Sequence, residues 1–423
     1  MDAMLTFDDI RFDCRLYSGY KPCRFGNECA ECPHYDPLEG APAEGAGEAV
    51  TGGAPQTQRR AGEGLRVLII KTGAMGDVLR TTTLLGPIHR AHPGARVVWV
   101  TDVSSLALLG GNPLIEEVVP LTPDTAADVE SRDFDLLICL EKEGEALALA
   151  GRVRAAERRG FGPTRWGTPT VFNPESRYGL LLGLSDELKF RLNTRSYPQI
   201  ICEMAALEYR RDPYMLALSE ASLRARETLM ARVGGRGRPR VGINTGCGAA
   251  FPTKQWTLRG FADLIRTLRA STDAHLLLLG GRAEEDFNRR LLAETHGCGV
   301  VDAGCRHSLE EFFGVVDACD VVVTSDSLAM HIAIARRKWV VAMFGSTSAT
   351  EVDLYDRGEK VVTDFPCAPC YLKKCRMDED FHAAVARGEA PPEGPRTMCM
   401  EALTGERVAQ AVLRGLAAVG HGA

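Results

Sequence analysis

The 423-residue chain lacks three features that would each place it in a particular class of protein. No apolar stretch is long enough to span a bilayer, and the acidic N-terminus has no apolar core of a secretory signal. Basic residues are not in excess, because the formal net charge is −6. That charge argues against a general nucleic-acid-binding protein. These absences predict a cytoplasmic protein with no nucleic-acid partner.

Two nucleotide-binding motifs are also missing. The turn after the first predicted strand reads GAMGD at residues 73–77, so it does not match the G-x-G-x-x-G fingerprint of dinucleotide-binding enzymes. The phosphate-binding loop G-x-x-x-x-G-K-[ST] occurs nowhere in the chain. What remains is an ordinary soluble composition, with 45% hydrophobic and 25% charged residues. The length allows two or three domains.

The most informative stretch is residues 67–81, VLIIKTGAMGDVLRT. Its first four residues are all apolar, which predicts a strand buried on both faces, as in a parallel sheet. Gly73 and Gly76 allow the backbone to approach a ligand closely, and the helix that follows presents its N-terminus to an anionic group. Asp77 is either the N-cap of that helix or a general base at the mouth of a cleft.

Alternating strand and helix patterns predict two α/β units, residues 65–235 and 236–402, followed by a C-terminal helix within residues 403–423. The Gly- and Arg-rich run near residue 235 marks the boundary between them. Two such units joined by a Gly-rich hinge imply a cleft between domains. The segment RRGFG at residues 158–162 follows a helical pattern, so it predicts a basic turn.

Before the first unit, residues 1–36 carry four cysteines and predict either a small separate module or a strap docked on the main body. A module of that size needs a staple in order to fold. Residues 37–64 contain almost no large apolar side chains, so they cannot bury enough surface to offset their chain entropy. They predict a flexible linker.

Small and polar residues follow the strands of the second unit, at the sheet edge where such folds bind ligands. Taken singly, Lys254 would be a solvated lysine, Asp326 a helix cap and His331 a core histidine. Placed together, they suit a phosphorylated ligand held by helix N-termini. The candidate residues on this edge are Thr245, Gly246, Lys254, Glu285, Ser325, Asp326, Ser327, Met330 and His331.

Eight of the 14 cysteines form two groups near the chain ends. The N-terminal group, C-x8-C-x5-C-x2-C, consists of Cys14, Cys23, Cys29 and Cys32. The C-terminal group, C-x2-C-x4-C-x23-C, consists of Cys367, Cys370, Cys375 and Cys399. Four thiolates satisfy a tetrahedral zinc ion, and an iron–sulfur cluster is the alternative. Unligated or redox-active thiols, or one site shared by both groups, are also open.

Residues 66–418 resemble glycosyltransferase family 9, the ADP-heptose:lipopolysaccharide heptosyltransferases. The resemblance rests on RVLIIKTGAMGDVLRTTTLL, RRGFG, VGINTGCGAAFPTKQWTLRGF, LLLLGGRAEEDF, SLEEFFGVVDACDVVVTSDSLAMHIA and VVAMFGSTSATE. It implies a GT-B fold, in which two Rossmann-like domains face a cleft and the C-terminal domain holds most of the sugar nucleotide. It also implies an inverting transfer without a metal cofactor, from an ADP-heptose-like donor to a lipopolysaccharide-core or related glycan acceptor. Such an enzyme would work as a peripheral protein at the inner membrane face.

The resemblance also assigns roles to matching residues. Asp77 would deprotonate the acceptor hydroxyl, and Lys254 would stabilise the charge that grows on the leaving diphosphate. Glu285 would contact the ribose, and Met330 would border the adenine. The remaining residues of the edge, which would contact the diphosphate, ribose or donor sugar, are Thr245, Gly246, Ser325, Asp326, Ser327 and His331.

The alternative function is a GT-B-shaped binding or sensing protein that has lost transfer. It would use its Cys groups for metal, redox or partner contacts. The long N-terminal extension favours this alternative, whereas the presence of Asp77 and Lys254 favours the enzyme.

Overall fold

The computed structural model describes residues 5–20, 29, 32–38, 47–56, 62–234, 237–378, 387 and 397–420. Contacts divide the chain into two compact units, Met1–Ala217 and Leu218–Ala423. Within the described ranges, no helix is both long and apolar enough to cross a membrane.

The first unit is built on one six-stranded sheet. Its strands are β1 (Arg66–Ile70), β2 (Arg96–Thr101), β3 (Glu117–Pro120), β4 (Asp133–Cys139), β5 (Arg154–Pro163) and β6 (Pro169–Val171). Its helices are α1 (Met75–Thr81), α2 (Leu85–Ala91), α3 (Leu106–Leu109), α4 (Pro123–Ser131), α5 (Gly144–Arg152), α6 (Arg177–Leu182) and α7 (Tyr197–Met204). The strand order is β3-β2-β1-β4-β5-β6, parallel except for the antiparallel β5–β6 pair.

The second unit repeats this plan with all strands parallel. Its helices begin with α8 (Glu220–Val233), α9 (Leu258–Ser271), α10 (Glu285–Glu294), α11 (Leu309–Asp317) and α12 (Leu328–Ala335), and end with α13 (Met398–Glu401) and α14 (Gly405–Gly420). Its strands are β7 (Arg240–Asn244), β8 (His275–Leu279), β9 (Val300–Gly304), β10 (Val321–Ser325), β11 (Trp339–Phe344) and β12 (Gly358–Val362). Their order is β12-β11-β10-β7-β8-β9.

The central strands are buried on both faces, as their unbroken apolar runs predict. Residues 67–70 of β1 and 321–323 of β10 are completely buried. Thr257 and Ser308 are the predicted N-caps of α9 and α11, and each side chain accepts a hydrogen bond from the first turn of its helix. The predicted α/β architecture is therefore present in both units.

The division between the units lies one helix earlier than the predicted boundary, because α8 packs on α11. The Ser222 hydroxyl donates to the Glu310 carbonyl at 2.7 Å, and Arg226 pairs with Asp317 at 3.1 Å. Gly314 allows this close approach, since an added Cβ would lie 1.9 Å from the Ser222 carbonyl oxygen. The Gly-rich run after α8 therefore joins two elements of the same unit.

The turn predicted at residues 158–162 is wrong, because these residues lie within β5 and pair in parallel with β4. Gly160 has φ +91°, and an added Cβ would lie 1.9 Å from the Cys139 carbonyl oxygen. The glycine thus serves close strand packing and not a chain reversal. Arg158 donates to backbone carbonyls, including that of Val153 at 2.9 Å.

The N-terminal extension is a strap docked on the first unit. Residues 13–15 pair with 36–38, through Arg15 N to Asp36 O and Leu38 N to Asp13 O, both 2.8 Å. The Tyr17 hydroxyl donates to the Pro169 carbonyl at 2.9 Å, and the Phe12 carbonyl accepts from Thr168 at 2.7 Å. The side chains of Leu5, Ile10, Phe12 and Tyr17 are buried. The strap therefore gains its apolar cover from the first unit.

The flexible linker predicted at residues 37–64 requires a correction for residues 47–56, its longest described stretch. Gly47 O accepts from the Thr170 hydroxyl at 2.6 Å, and Val50 N donates to the Pro163 carbonyl at 2.7 Å. Gln56 N donates to an Asp133 carboxylate oxygen at 3.1 Å. Backbone hydrogen bonds to the first unit hold this segment, and amino-acid composition does not report them.

Candidate functional site

In the first unit, Asp77 lies in the first turn of α1, directly beyond the central strand β1. The helix N-cap is Ala74, which makes no side-chain cap, so the N-cap interpretation of Asp77 is wrong. Its carboxylate pairs with the Arg80 guanidinium at 2.9 Å, and its side chain remains 37% exposed. Arg80 is itself stacked on the Tyr197 ring, 3.6 Å from the centroid. An accessible carboxylate is thus held beside a fixed cation.

A buried ion pair that the sequence analysis missed holds the loop between β1 and α1. The Lys71 ammonium donates to Glu141 Oε1 at 2.7 Å, and the same oxygen accepts from Thr72 N at 2.8 Å and Gly73 N at 3.1 Å. Burial alone would lower the pKa of Lys71. The charges of Glu141, Tyr197 and Asp77 outweigh it and raise that pKa above its ordinary value. The Lys71 ammonium therefore keeps its charge at neutral pH.

The glycines of this loop have different surroundings. An added Cβ on Gly73 would meet only the Asp102 carboxylate, at 3.6 Å, although the Gly73 N–H is already used by Glu141. Gly76 is the second residue of α1 and is half-buried.

Burial raises the pKa of Asp102, and the Glu141 charge raises it further. The carboxyl edge of this sheet thus carries three carboxylates, those of Asp77, Asp102 and Glu141.

In the second unit, Lys254 and His331 converge on Asp326. The Lys254 ammonium lies 3.8 Å from one Asp326 oxygen, and His331 Nε2 lies 3.9 Å from the other. The side chains are 15% exposed for Lys254, 22% for Asp326 and 5% for His331. Lys254 comes from the loop after β7, Asp326 from the β10–α12 connection and His331 from α12 itself. Parallel strands bring these distant segments to one edge.

Other predicted residues of this edge hold the backbone in place. The Thr245 hydroxyl donates to Asn288 Oδ1 at 2.5 Å, and Thr245 is 1% exposed. Ser327 is the N-cap of α12, and its hydroxyl lies 2.8 Å from that of Thr324. Ser325 is also buried, at 4% exposure. Their side chains therefore shape the edge, which leaves its backbone groups and Lys254 to meet a ligand.

The structure separates Glu285 and Met330 from this cluster. Met330 is completely buried within α12, so its side chain does not border a ligand site. Glu285 pairs with Arg306 at 3.0 Å and lines a cavity of about 620 Å³ beside β9. Its chain neighbour Glu284, and not Glu285, lies beside Gly246, because an added Cβ on Gly246 would lie 3.0 Å from the Glu284 carboxyl carbon. A one-residue shift at the start of α10 separates the two positions, and sequence spacing alone could not resolve it.

The C-terminal cysteine segment packs on the loop that carries Lys254. The Thr253 hydroxyl donates to the Leu372 carbonyl at 2.6 Å, and Cys370 N donates to the Ser346 carbonyl at 3.0 Å. Cys399 is buried beside Gly345. Burial and the neighbouring thiols of this group raise the pKa of Cys399 to about 12. Cys367, Cys370 and Cys375 are therefore near enough to influence the Cys399 thiol.

These cysteines do not form a ready-made metal site. Across the residues that the structure describes, no three or more His, Cys, Asp or Glu side chains are grouped so that they could hold a metal ion. In the N-terminal group, Cys14 is buried and Cys29 and Cys32 are half-buried. Cys23 lies outside the described residues. The predicted zinc or iron–sulfur sites are thus not present as assembled clusters among the described cysteines.

Comparisons with known proteins find similarity to one glycosyltransferase family. Residues 192–380 match the sequence profile of glycosyltransferase family 9 (heptosyltransferase). The chain is 25% identical over 370 residues to lipopolysaccharide heptosyltransferase 1 of Pseudomonas aeruginosa, covering 82% of this chain and 96% of that protein.

Two solved structures share the fold. One is Escherichia coli ADP-heptose lipopolysaccharide heptosyltransferase II, with a TM-score of 0.58 and 17% identity, covering 84% of this chain and 99% of that one. The other is the iron-containing dodecameric glycosyltransferase TibC of enterotoxigenic E. coli, with a TM-score of 0.50 and 14% identity, covering 84% of this chain and 77% of that one. The expected GT-B-type α/β fold is confirmed.

Proposed function

We propose that this chain, a glycosyltransferase whose resemblance to family 9 is confirmed by its sequence profile and its heptosyltransferase relatives, transfers heptose from ADP-heptose to a lipopolysaccharide-core or related glycan. The observation that carries the proposal is the convergence of Lys254 and His331 on Asp326 at the carboxyl edge of the second sheet. A site at that edge suits the nucleoside diphosphate of a sugar donor.

The donor diphosphate would bind at this edge. Lys254 supplies a positive charge, and the N-terminus of α12 supplies backbone N–H groups at Ser327 and beyond. As the sugar leaves, charge grows on the diphosphate, and these groups stabilise it without a metal ion. Glu284, beside Gly246, would accept hydrogen bonds from ribose hydroxyls.

Asp77 would act as the general base. Its carboxylate is accessible and is held by the ion pair with Arg80 at 2.9 Å, and it would accept the proton of the acceptor hydroxyl. As it loses this proton, the acceptor oxygen attacks the anomeric carbon of the donor sugar. The bond from that carbon to the diphosphate breaks in the same step. A single displacement of this kind inverts the configuration at that carbon.

A transfer assay tests the proposal. ADP-heptose and deacylated, heptose-free lipopolysaccharide core serve as substrates, with the product identified by mass spectrometry and its anomeric configuration by NMR. Asp77→Asn should lower kcat by about 10²–10⁴-fold and leave ADP binding unchanged by calorimetry. Asp124→Asn is the matched control, because Asp124 also lies in the first turn of a first-unit helix, α4, and is exposed.

The outcomes separate the two functions considered. Full activity of Asp77→Asn would remove Asp77 as the base. ADP binding without any transfer by the wild-type protein would favour the binding or sensing alternative. Heat stabilisation of the protein, measured in parallel with ADP, UDP, GDP and CDP, identifies the nucleotide base of the donor. A nucleotide at about 100 times its dissociation constant adds about 2.7 kcal/mol to the free energy of unfolding.

We further propose that the C-terminal cysteine group takes up a single structural metal ion. Cys367, Cys370 and Cys375 lie close enough to act on the Cys399 thiol, and Cys367 is exposed, so the segment can close around an ion. Four thiolates suit zinc or iron, and TibC, which shares the fold, is described as iron-containing. Elemental analysis of anaerobically purified protein tests this proposal. The absence of both zinc and iron in near-stoichiometric amount would refute it.

A further inference from the structure

Lys142, a lysine outside the site described above, is buried at the carboxyl edge of the first sheet. It is the third residue after the end of β4 and is 7% exposed. Its ammonium donates to the Gly19 carbonyl at 2.8 Å and lies 3.7 Å from the centroid of the Tyr20 ring. The Phe161 ring is 5.4 Å away. A lysine of the first unit is thus enclosed by the end of the docked strap.

Two glycines make this contact possible. Gly19 has φ +74°, and an added Cβ would lie 2.6 Å from the Pro169 ring. An added Cβ on Gly183 would lie 2.5 Å from the Lys142 ammonium and 2.8 Å from the Gly19 carbonyl oxygen. Any larger residue at either position would push the strap away. The seat of residues 19–20 on Lys142 is therefore closely fitted.

The energetics of Lys142 depend on the strap. Burial lowers the pKa of Lys142 to about 7, with the neighbouring charge of Lys189 acting in the same direction. The Gly19 carbonyl and the face of the Tyr20 ring both stabilise the ammonium form. The Lys142 ammonium and the Tyr20 ring therefore form a cation–π pair.

This seat places Tyr20 next to the residues around Asp77. Lys142 is the chain neighbour of Glu141, which holds the loop leading into α1. Burial and the charges of Glu143, Glu141 and Asp77 raise the pKa of Tyr20, with Lys71 opposing them. Tyr20 is still 37% exposed. An exposed aromatic face thus stands among the charged groups at this sheet edge.

We propose that the docked strap, residues 5–20, forms one wall of the acceptor site, with Tyr20 as an acceptor-binding residue and Lys142 as the positioning residue that holds it. The inference rests on the proposed function, because an acceptor hydroxyl that gives its proton to Asp77 must lie beside that carboxylate. Tyrosine offers a glycan an apolar ring face and a hydroxyl together. The N-terminal extension would then be part of the enzyme's specificity.

Steady-state kinetics with ADP-heptose and deacylated, heptose-free lipopolysaccharide core tests the inference. Tyr20→Ala should raise the KM for the acceptor about tenfold or more, the scale of one lost apolar contact in a substrate pocket. The KM for ADP-heptose and the Kd for ADP should stay unchanged. Tyr20→Phe should keep most of the acceptor affinity, because it retains the ring.

Lys142→Met keeps the length of the side chain and removes its charge, so it should raise the acceptor KM in the same direction as Tyr20→Ala. Tyr35→Ala is the matched control. Tyr35 belongs to the same extension and is 39% exposed, but it contacts Asp13 and Arg11. Its variant should keep the wild-type acceptor KM. Melting temperatures of all variants separate lost binding from lost folding.

Calorimetric titration of the acceptor alone keeps this inference distinct from the proposed function. If wild-type protein transfers heptose and Tyr20→Ala has an unchanged acceptor KM, the wall is refuted and the function stands. If no transfer occurs but the wild-type protein binds the glycan and Tyr20→Ala does not, the wall stands and the enzyme is refuted. If the wild-type protein neither binds nor modifies the glycan, both are overturned.

Discussion

Replacing Glu141 by glutamine should strongly destabilise the first unit, because it leaves the Lys71 ammonium buried without a counter-charge. The side chains of Lys71 and Glu141 are 6% and 11% exposed, with 2.7 Å between the charged atoms. Glutamine keeps an oxygen that can still accept from the N–H groups of Thr72 and Gly73. The variant therefore isolates the loss of the charge.

Breaking a buried ion pair by removing one partner costs about 3–5 kcal/mol. We expect the lower end of that range, because the backbone hydrogen bonds survive and Lys71 can lose its proton. For a unit of this size, about 3 kcal/mol corresponds to a melting temperature lower by about 6–12 °C. Glu116→Gln is the control, since the Arg96–Glu116 pair is 55% and 42% exposed and should contribute at most about 1 kcal/mol.

The pH dependence of stability should differ between the wild-type protein and Glu141→Gln. In the wild-type protein the folded-state pKa of Lys71 is raised, so its stabilisation is present below the unfolded value of 10.5 and is lost as pH rises through the folded value. In Glu141→Gln burial is no longer opposed by the carboxylate, so the folded-state pKa falls below 10.5. The unfolded state then binds more protons, and stability rises with pH up to that value.

Calorimetry or urea unfolding of the wild-type protein, both variants and Lys71→Met/Glu141→Gln provides the measurement. The double variant should recover most of the loss, because it removes the buried charge as well. A Glu141→Gln shift no larger than that of Glu116→Gln, with no dependence on pH, would refute this reasoning.

Three further outcomes are expected. Lys254→Ala should weaken ADP binding by about 1.5–3 kcal/mol, as expected for a charge-assisted contact, and an unchanged Kd by calorimetry would remove Lys254 from the donor site. Gly314→Val should lower the melting temperature by forcing α8 away from α11, since overpacking costs about 1–3 kcal/mol; a circular-dichroism melt at the wild-type temperature would contradict it. Burial alone would raise the pKa of Asp317, but Arg336, Lys338 and Arg226 outweigh it and lower that pKa. The ionised Asp317 therefore stabilises the folded protein above the ordinary pKa of 3.8. This stabilisation is lost as pH falls through the lower folded-state pKa. Asp317→Asn should therefore lower stability at neutral pH and flatten its loss in acid unfolding, and an acid profile like that of the wild-type protein would argue against the ion-pair network.

The strands and most helices could be predicted from the sequence because their signals are local. Unbroken apolar runs such as residues 67–70 mark strands buried on both faces, and capping side chains such as Ser308 mark helix starts. The edge with Lys254 and Asp326 was also predictable, since parallel strands place their carboxyl ends together. Residues 158–162 were misread, because a glycine in a strand and a glycine in a turn look alike without the neighbouring strand.

By itself, the sequence determined the two α/β units, the resemblance to glycosyltransferase family 9 and the polar residues at the strand ends, all of which depend on spacing along the chain. Only the tertiary structure decided which side chains pair across long separations. Lys71 meets Glu141, Lys142 meets the strap at Gly19, and Glu284 rather than Glu285 lies beside Gly246. These contacts depend on distances of a few ångströms between elements whose relative placement is set by packing, and no local pattern of residues encodes them.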